Sequence, residues 1–135
     1  KKHIEINNYK NIFVFDNAVS DKSGHSFFKK EDSRSLGRLS DSGKFKVEII
    51  AIDDWIASKK LPMPNVMKID TEGAEMNVLK GAENTLKANR PIIFLSIHSG
   101  ESHKKCCGYL LSMGYKLEPI GEADMDSADE ILARS

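Results

Sequence analysis

The sequence predicts an α/β fold, a mostly parallel sheet with helices on both faces, and three observations carry that prediction. Short apolar runs at residues 12–15, 66–69 and 92–97 are rich in β-branched and aromatic residues, the pattern of strands buried on both faces. Helical spacing appears between and after them: residues 75–88 place Val78, Leu79, Ala82 and Leu86 on one stripe, and residues 101–113 turn Cys107, Leu110 and Leu111 inward. The chain has 135 residues, 40% of them hydrophobic, enough for one domain whose core needs neither disulfides nor metal. In such a layered fold ligands bind at the carboxyl ends of the strands.

Each element follows from local chemistry. Residues 1–8 read as the end of a helix, stopped at Asn7 and Asn8, which tolerate a left-handed backbone. The strand at 12–15 ends at Asp16-Asn17, and Ser20-Asp21-Lys22-Ser23-Gly24 turns into a short strand at 25–28. Residues 29–44 are polar and without periodicity, and read as a mobile surface loop. Phe45, Val47 and Ile49 alternate with Lys46 and Glu48, the period of a half-exposed strand that suits a hairpin with 25–28. Asp53 is placed to cap a helix running to Lys60, with Trp55 and Ile56 facing the core and Pro62 and Pro64 ending it. Gly81 weakens the helix at 75–88, and Pro91 opens the next strand without costing a ladder bond. Gly114 ends the last helix and hands over to residues 115–118; an acidic, loop-like stretch at 121–130 precedes a last edge strand at Ile131-Leu132.

Twenty basic residues balance 20 acidic ones, so no overall field draws the chain to nucleic acid or to an anionic membrane, and small molecules are the expected partners. No apolar run approaches the roughly 20 residues that cross a bilayer, and no signal pattern opens the chain, so a cytoplasmic location is expected. Cys106 and Cys107 are neighbours, a spacing that resists disulfide geometry, and read as reduced residues facing the core.

The chemistry concentrates at residues 68–75, Lys-Ile-Asp-Thr-Glu-Gly-Ala-Glu, where Asp70, Glu72 and Glu75 stand at the passage from a strand to a helix. One reading is structural: Thr71 or Asp70 caps the helix while Glu72 and Glu75 favour its positive end. The other is a site, in which Gly73 permits a tight turn or close ligand approach. His98 follows the next strand; if the two strands are neighbours, Asp70 and His98 emerge side by side. A neutral imidazole oriented by a carboxylate can take a hydroxyl proton, whereas a solvent-exposed loop histidine is the plainer alternative. Asp70, Glu72 and His98 are also acceptable ligands for magnesium or a transition ion, although their spacing does not demand one. Arg34 and Arg38 in the polar loop suit either a lid over an anionic or sugar substrate or a solvated surface. His3, His25 and His103 read as surface residues.

Taken in order, Asn17-Ala18-Val19-Ser20-Asp21 with Gly24, Ile52-Asp53-Asp54-Trp55, the 68–75 segment and Val78-Leu79-Lys80-Gly81-Ala82 resemble the FkbM methyltransferase family, across about residues 4–117. The Asp-x-Glu-Gly-x-Glu run at 70–75 is the most specific part; Pro91 and Gly114-Tyr115 also fit. The resemblance implies a Rossmann-like class I methyltransferase fold that moves a methyl group from S-adenosylmethionine to a hydroxyl of a sugar, polysaccharide or natural product. It implies that Asn17 and Ala18 contact the adenine, and that the strand ends bearing Asp70 and His98 face the methyl and the acceptor. Likeness to catechol-type O-methyltransferases implies a place for a divalent metal after the Asp70 strand. Two departures stand out. The strand, glycine-rich turn and acidic-ended second strand that hold the family's cofactor have no counterpart in residues 1–135. The chain is therefore expected to be a partial domain, inactive alone, with uncovered strand edges that favour a homodimer. Many members also carry glutamate where this chain has Ser96.

Two other readings compete. A non-catalytic α/β interaction module would retain the sheet without the chemistry. A phosphatase-like hydrolase using Asp70 as nucleophile would need a second aspartate two residues on, where this chain has Glu72.

Overall fold

The computed structural model describes residues 1–30, 37–40, 45–121 and 124–135. The elements run α1 (Lys2–Ile6), β1 (Ala18–Val19), β2 (Gly24–Lys30), β3 (Gly37–Ser40), β4 (Phe45–Ile50), α2 (Ile52–Ala57), β5 (Val66–Ile69), α3 (Glu75–Gly81), α4 (Glu83–Asn89), β6 (Ile92–Ser96), α5 (Gly100–Ser112), β7 (Lys116–Pro119) and β8 (Glu130–Arg134). They form two 4-stranded sheets, ordered β1-β4-β2-β3 and β5-β6-β8-β7.

The fold is α/β as expected, but the sheets are mixed rather than mostly parallel. β1 runs parallel to β4 and β5 to β6, whereas β2 is antiparallel to β3 and β4, and β8 to β6 and β7. For β5 and β6, α3 and α4 supply the crossover that joins parallel neighbours.

Period-2 alternation sorts the second sheet into two faces. Ile69, Ile93, Leu95, Ile131 and Ala133 pack with Val78, Leu79 and Leu86 of the α3–α4 pair and with Cys106 and Leu110 of α5 in one core. Leu79, Leu86, Ile93, Leu95 and Ile131 have no exposure, and each such burial contributes about 1.5–3 kcal/mol. Val66, Ile92 and Phe94 point the other way and are more than a third exposed. The runs at 66–69 and 92–97 are thus covered on one face, not both, because the helices of this core all stand on the same side. β8 lies between β6 and β7 instead of at an edge, which is why Ile131 and Ala133 are buried.

Other expectations shift for identifiable reasons. Residues 12–15 form no strand and are exposed, Phe13 at 77%. Apolar composition favours burial but supplies no ladder partner; Phe15 of this run meets the Trp55 ring edge-on at 5.1 Å. The polar segment 29–44 contains the end of β2 and all of β3, with Arg38 in the latter; residues 31–36, including Arg34, and 41–44 lie outside the described residues. Leu111 is 56% exposed, and Cys106 takes the inward position beside Cys107. Residues 122–123 of the acidic tail lie outside the described residues, and Glu130 belongs to β8. Among the described residues no helix is long and apolar enough to cross a membrane.

The helix at 75–88 breaks at Ala82, which leaves helical geometry (φ −115°, ψ 13°). Gly81 sits at the break with the Ser20 carbonyl against it; a Cβ there would lie 2.1 Å from that oxygen. Asp53 does not cap its own helix, whose N-cap is Ala51. It caps α4 across the fold, accepting from the backbone N–H of Asn84 (2.8 Å) and Thr85 (2.9 Å) and from the Thr85 hydroxyl (2.6 Å). Helix propensity alone makes Gly81→Ala stabilising by about 1 kcal/mol, whereas a backbone clash costs about 1–3 kcal/mol or more. Urea unfolding is therefore expected to show net destabilisation of G81A. Asp53→Ala is expected to cost about 1–2 kcal/mol through the lost cap, measured in the same way.

Candidate functional site

β5 and β6 are parallel neighbours, with Ile69 opposite Leu95, so the residues following them leave the sheet at one edge. Asp70 and His98 meet there: His98 Nε2 is 2.9 Å from Asp70 Oδ1 and 4.0 Å from Glu72 Oε1. The bond to Asp70 is the main influence raising the imidazole pKa above its ordinary 6.5; desolvation opposes it, and the charges of Glu72, Asp70 and Glu75 add to it. The same bond holds the Asp70 carboxyl below its ordinary range, helped by Lys68. With the Nε2 proton donated to the carboxylate, Nδ1 is the ring nitrogen left to accept a proton.

The turn carrying Glu72 is set from below. Glu72 and Gly73 both have positive φ, 51° and 105°, a conformation that glycine accepts freely and glutamate does not. Glu75, fully buried, holds it there: its Oε1 accepts from the Gly73 N–H at 2.7 Å and from the Thr71 hydroxyl at 3.3 Å, and its Oε2 from the Ser102 hydroxyl of α5 at 2.9 Å. Burial pushes this carboxyl up, but the hydrogen bonds outweigh it and leave the pKa lowered. Neither Thr71 nor Asp70 caps α3, whose N-cap Ala74 makes no side-chain bond.

A second set of polar groups lies behind Asp70. Lys68 Nζ stands 3.8 Å from Asp70 Oδ2 and 3.1 Å from Glu130 Oε2, and donates to the Ser96 hydroxyl, which in turn donates to Glu130 Oε1 at 2.6 Å. The place beside Ser96 therefore holds a carboxylate from β8, where Glu130 is in register with Ser96. The sequence reading missed Lys68, Glu130 and the anchoring role of Glu75. Lys68 and Ser96, polar residues two positions before Asp70 and His98 in otherwise apolar strands, were the available signal; Glu130 had none, since its approach depends on the register of β8.

Asn17 and Ala18 lie at the start of β1 in the other sheet, with Ala18 opposite Ile49 and the Asn17 amide donating to Glu48 Oε2 at 3.0 Å. Among the described residues no hydrogen bond links them to the Asp70–His98 pair. His103 is half-buried rather than on the open surface, with Cys107 Sγ 3.8 Å from its Nδ1. One ligand atom each from Asp70, Glu72 and His98 lie within 4.8 Å of one another, close enough to share a cation. A cleft of about 550 Å³ opens between α3 and α5 at Gly73 and Ser99, and a smaller hollow of about 300 Å³ is lined by His98 and His103.

A model of the Methyltransferase FkbM domain matches residues 2–117. The chain belongs to the FkbM methyltransferase family. It is similar to the hexuronic acid methyltransferase AglP of Haloferax volcanii, 34% identical over 88 residues that cover 64% of this chain and 36% of that protein. Its fold is similar to the crystal structure of Methyltransferase FkbM from Methylobacillus flagellatus KT, with a TM-score of 0.66 and 20% identity, covering 99% of this chain and 31% of the other. This FkbM chain thus spans about a third of the length of each relative.

Glu75 is expected to matter for stability before catalysis. Replacing it by Gln leaves a turn N–H and two hydroxyls with a weaker partner, a loss of about 2 kcal/mol in urea unfolding at pH 7. Because the folded pKa is depressed below the ordinary 4.5, the carboxylate's contribution is present above that value and lost as pH falls through the folded pKa. The acid limb of stability should accordingly be shallower in E75Q.

Proposed function

We propose that the full enzyme transfers a methyl group from S-adenosylmethionine to a hydroxyl of a sugar or glycan, with His98 as general base and Asp70 as its orienting partner. The carrying observation is the 2.9 Å bond between His98 Nε2 and Asp70 Oδ1 at the carboxyl ends of two parallel strands. Membership of a methyltransferase family supports the reaction type, and similarity to a hexuronic acid methyltransferase supports a sugar acceptor. The exposed carboxylates of Asp70 and Glu72 also suit a ligand bearing a positive sulfonium charge.

Bound S-adenosylmethionine supplies an electrophilic methyl group. The residues of this chain act on the acceptor. His98 takes the hydroxyl proton on Nδ1 as the oxygen forms its new bond, and the imidazolium so formed is stabilised by the Asp70 carboxylate already bonded to Nε2. Lys68 and Glu130 keep Asp70 ionised and in place. Asn17 and Ala18 are assigned to the adenine on the family resemblance.

A second reading uses the same three side chains as ligands for a divalent cation, favoured by their grouping within 4.8 Å. The cation would make the acceptor hydroxyl more acidic. Methyl transfer abolished by EDTA and restored by magnesium would select this reading over the base.

The full-length protein is expected to bind S-adenosylhomocysteine in calorimetric titration; no binding would favour the interaction-module alternative. His98→Gln is expected to lower kcat by about 10²–10⁴-fold. Since Asp70 raises the His98 pKa, and the base must be neutral to accept a proton, the acid limb of the rate profile should lie above pH 6.5. Asp70→Asn should move that limb to lower pH, which a kcat/KM profile reads directly.

A further inference from the structure

His98 lines the hollow of about 300 Å³ at the head of α5, and it does not line the larger cleft between α3 and α5. A molecule that meets the proposed base therefore has room in the hollow, whose volume is at the lower end of small-molecule sites. Its floor is apolar, with Ile97 and Ala128 almost fully buried, and Asp126, Asp129 and His103 add polar groups. A pyranose has the matching make-up, apolar C–H groups on its face and hydroxyls around its rim. Backbone bonds hold the aspartate-bearing wall in place: the Ser127 N–H donates to the Asp124 carbonyl at 3.0 Å, and the Ile97 N–H to the Asp129 carbonyl at 2.8 Å.

Charge decides which pyranose fits. Among the described residues no lysine or arginine lines the hollow. Asp126 and Asp129 are exposed, and their carboxylates have no hydrogen bond or ion pair among the described residues. Around His98 stand Asp70, Glu72 and the buried, ionised Glu75. Lys68 is shared between Asp70 and Glu130 and offsets only one of them. The positive end of α5 at Gly100 adds about half a charge. Carboxylates outnumber cations here even with both imidazoles protonated.

We propose that this hollow is the acceptor subsite and that Asp126 and Asp129 select a neutral sugar over an acidic one, ring hydroxyls donating to the two carboxylates while another hydroxyl meets His98. The proposal rests on the sugar methyltransferase reading and adds the charge class of the sugar. An ionised carboxylate can only accept hydrogen bonds, so it holds a hydroxyl through a charge-assisted bond. A uronate would instead bring one more negative charge to a place where negative charge is already in excess. Its neutral counterpart has a hydroxymethyl group at the same position, which carries no such penalty.

The test uses the full-length enzyme with the methyl glycosides of glucose and galactose and of the two matching uronic acids, in wild type, Asp126→Asn, Asp129→Asn and the double variant. Titration with S-adenosylhomocysteine checks that each variant is folded. Wild type is expected to favour the neutral glycosides by about tenfold in kcat/KM, and the preference should shrink as salt is raised. In the double variant the uronides should gain until the preference is near unity, with each single variant in between. Equal or better use of the uronides by wild type, or a preference unchanged in folded variants, would overturn the subsite while leaving sugar methyl transfer standing. Transfer to none of the four by an enzyme that binds S-adenosylhomocysteine would overturn both.

Discussion

A carboxylate without solvent is tolerated only where hydrogen bonds replace the lost water, and Glu75 meets that condition by drawing three donors from two separate parts of the chain. Two of the donors lie in the turn after β5, and the third, Ser102, lies in the first turn of α5, which begins just after His98. The buried carboxylate therefore ties the loop of Asp70 to the loop of His98 from beneath. Their side chains complete the tie at the surface, 2.9 Å apart. Glu72 accepts a positive φ because the Gly73 N–H is already committed to Glu75. The site is a consequence of this anchoring more than of the exposed groups themselves.

Charge is arranged in layers above that anchor. Alternation along β5 and β6 puts Lys68 and Ser96 on the same side as Asp70 and His98, and β8 brings Glu130 to the same face. Asp70 is consequently shared between an imidazole and an ammonium. Both partners favour its ionised form, and an ionised Asp70 makes His98 a stronger base. The groups are exposed, so water moderates these effects; their orientation, held by short hydrogen bonds, does not depend on screening.

Local signals were legible where they depend on neighbours in the chain. The stripe Val78, Leu79, Ala82 and Leu86 is buried as its spacing implies, Asn8 takes the left-handed conformation that ends α1 (φ 54°), and Gly114 does so after α5 (φ 79°). Misreadings arose where composition stood in for packing. An apolar run announces that burial is favourable without saying which faces are covered, so residues 12–15 looked like a strand, and 66–69 and 92–97 looked enclosed on both sides. Asp53 was recognisable as a cap, but the helix it caps is 30 residues further along the chain.

The sequence by itself determined the alternation of strands and helices, the Asp70-to-Glu75 run with its glycine, and the histidine after the next strand, because period and turn chemistry act over a few residues. It also carried the family resemblance. Tertiary structure alone decided that β5 and β6 are parallel neighbours, that Glu130 comes to stand beside Ser96, and that Glu75 lies inside while Glu72 lies out. Those facts depend on strand register and on which helix stands on which face, and both are settled by contacts between segments far apart in the chain.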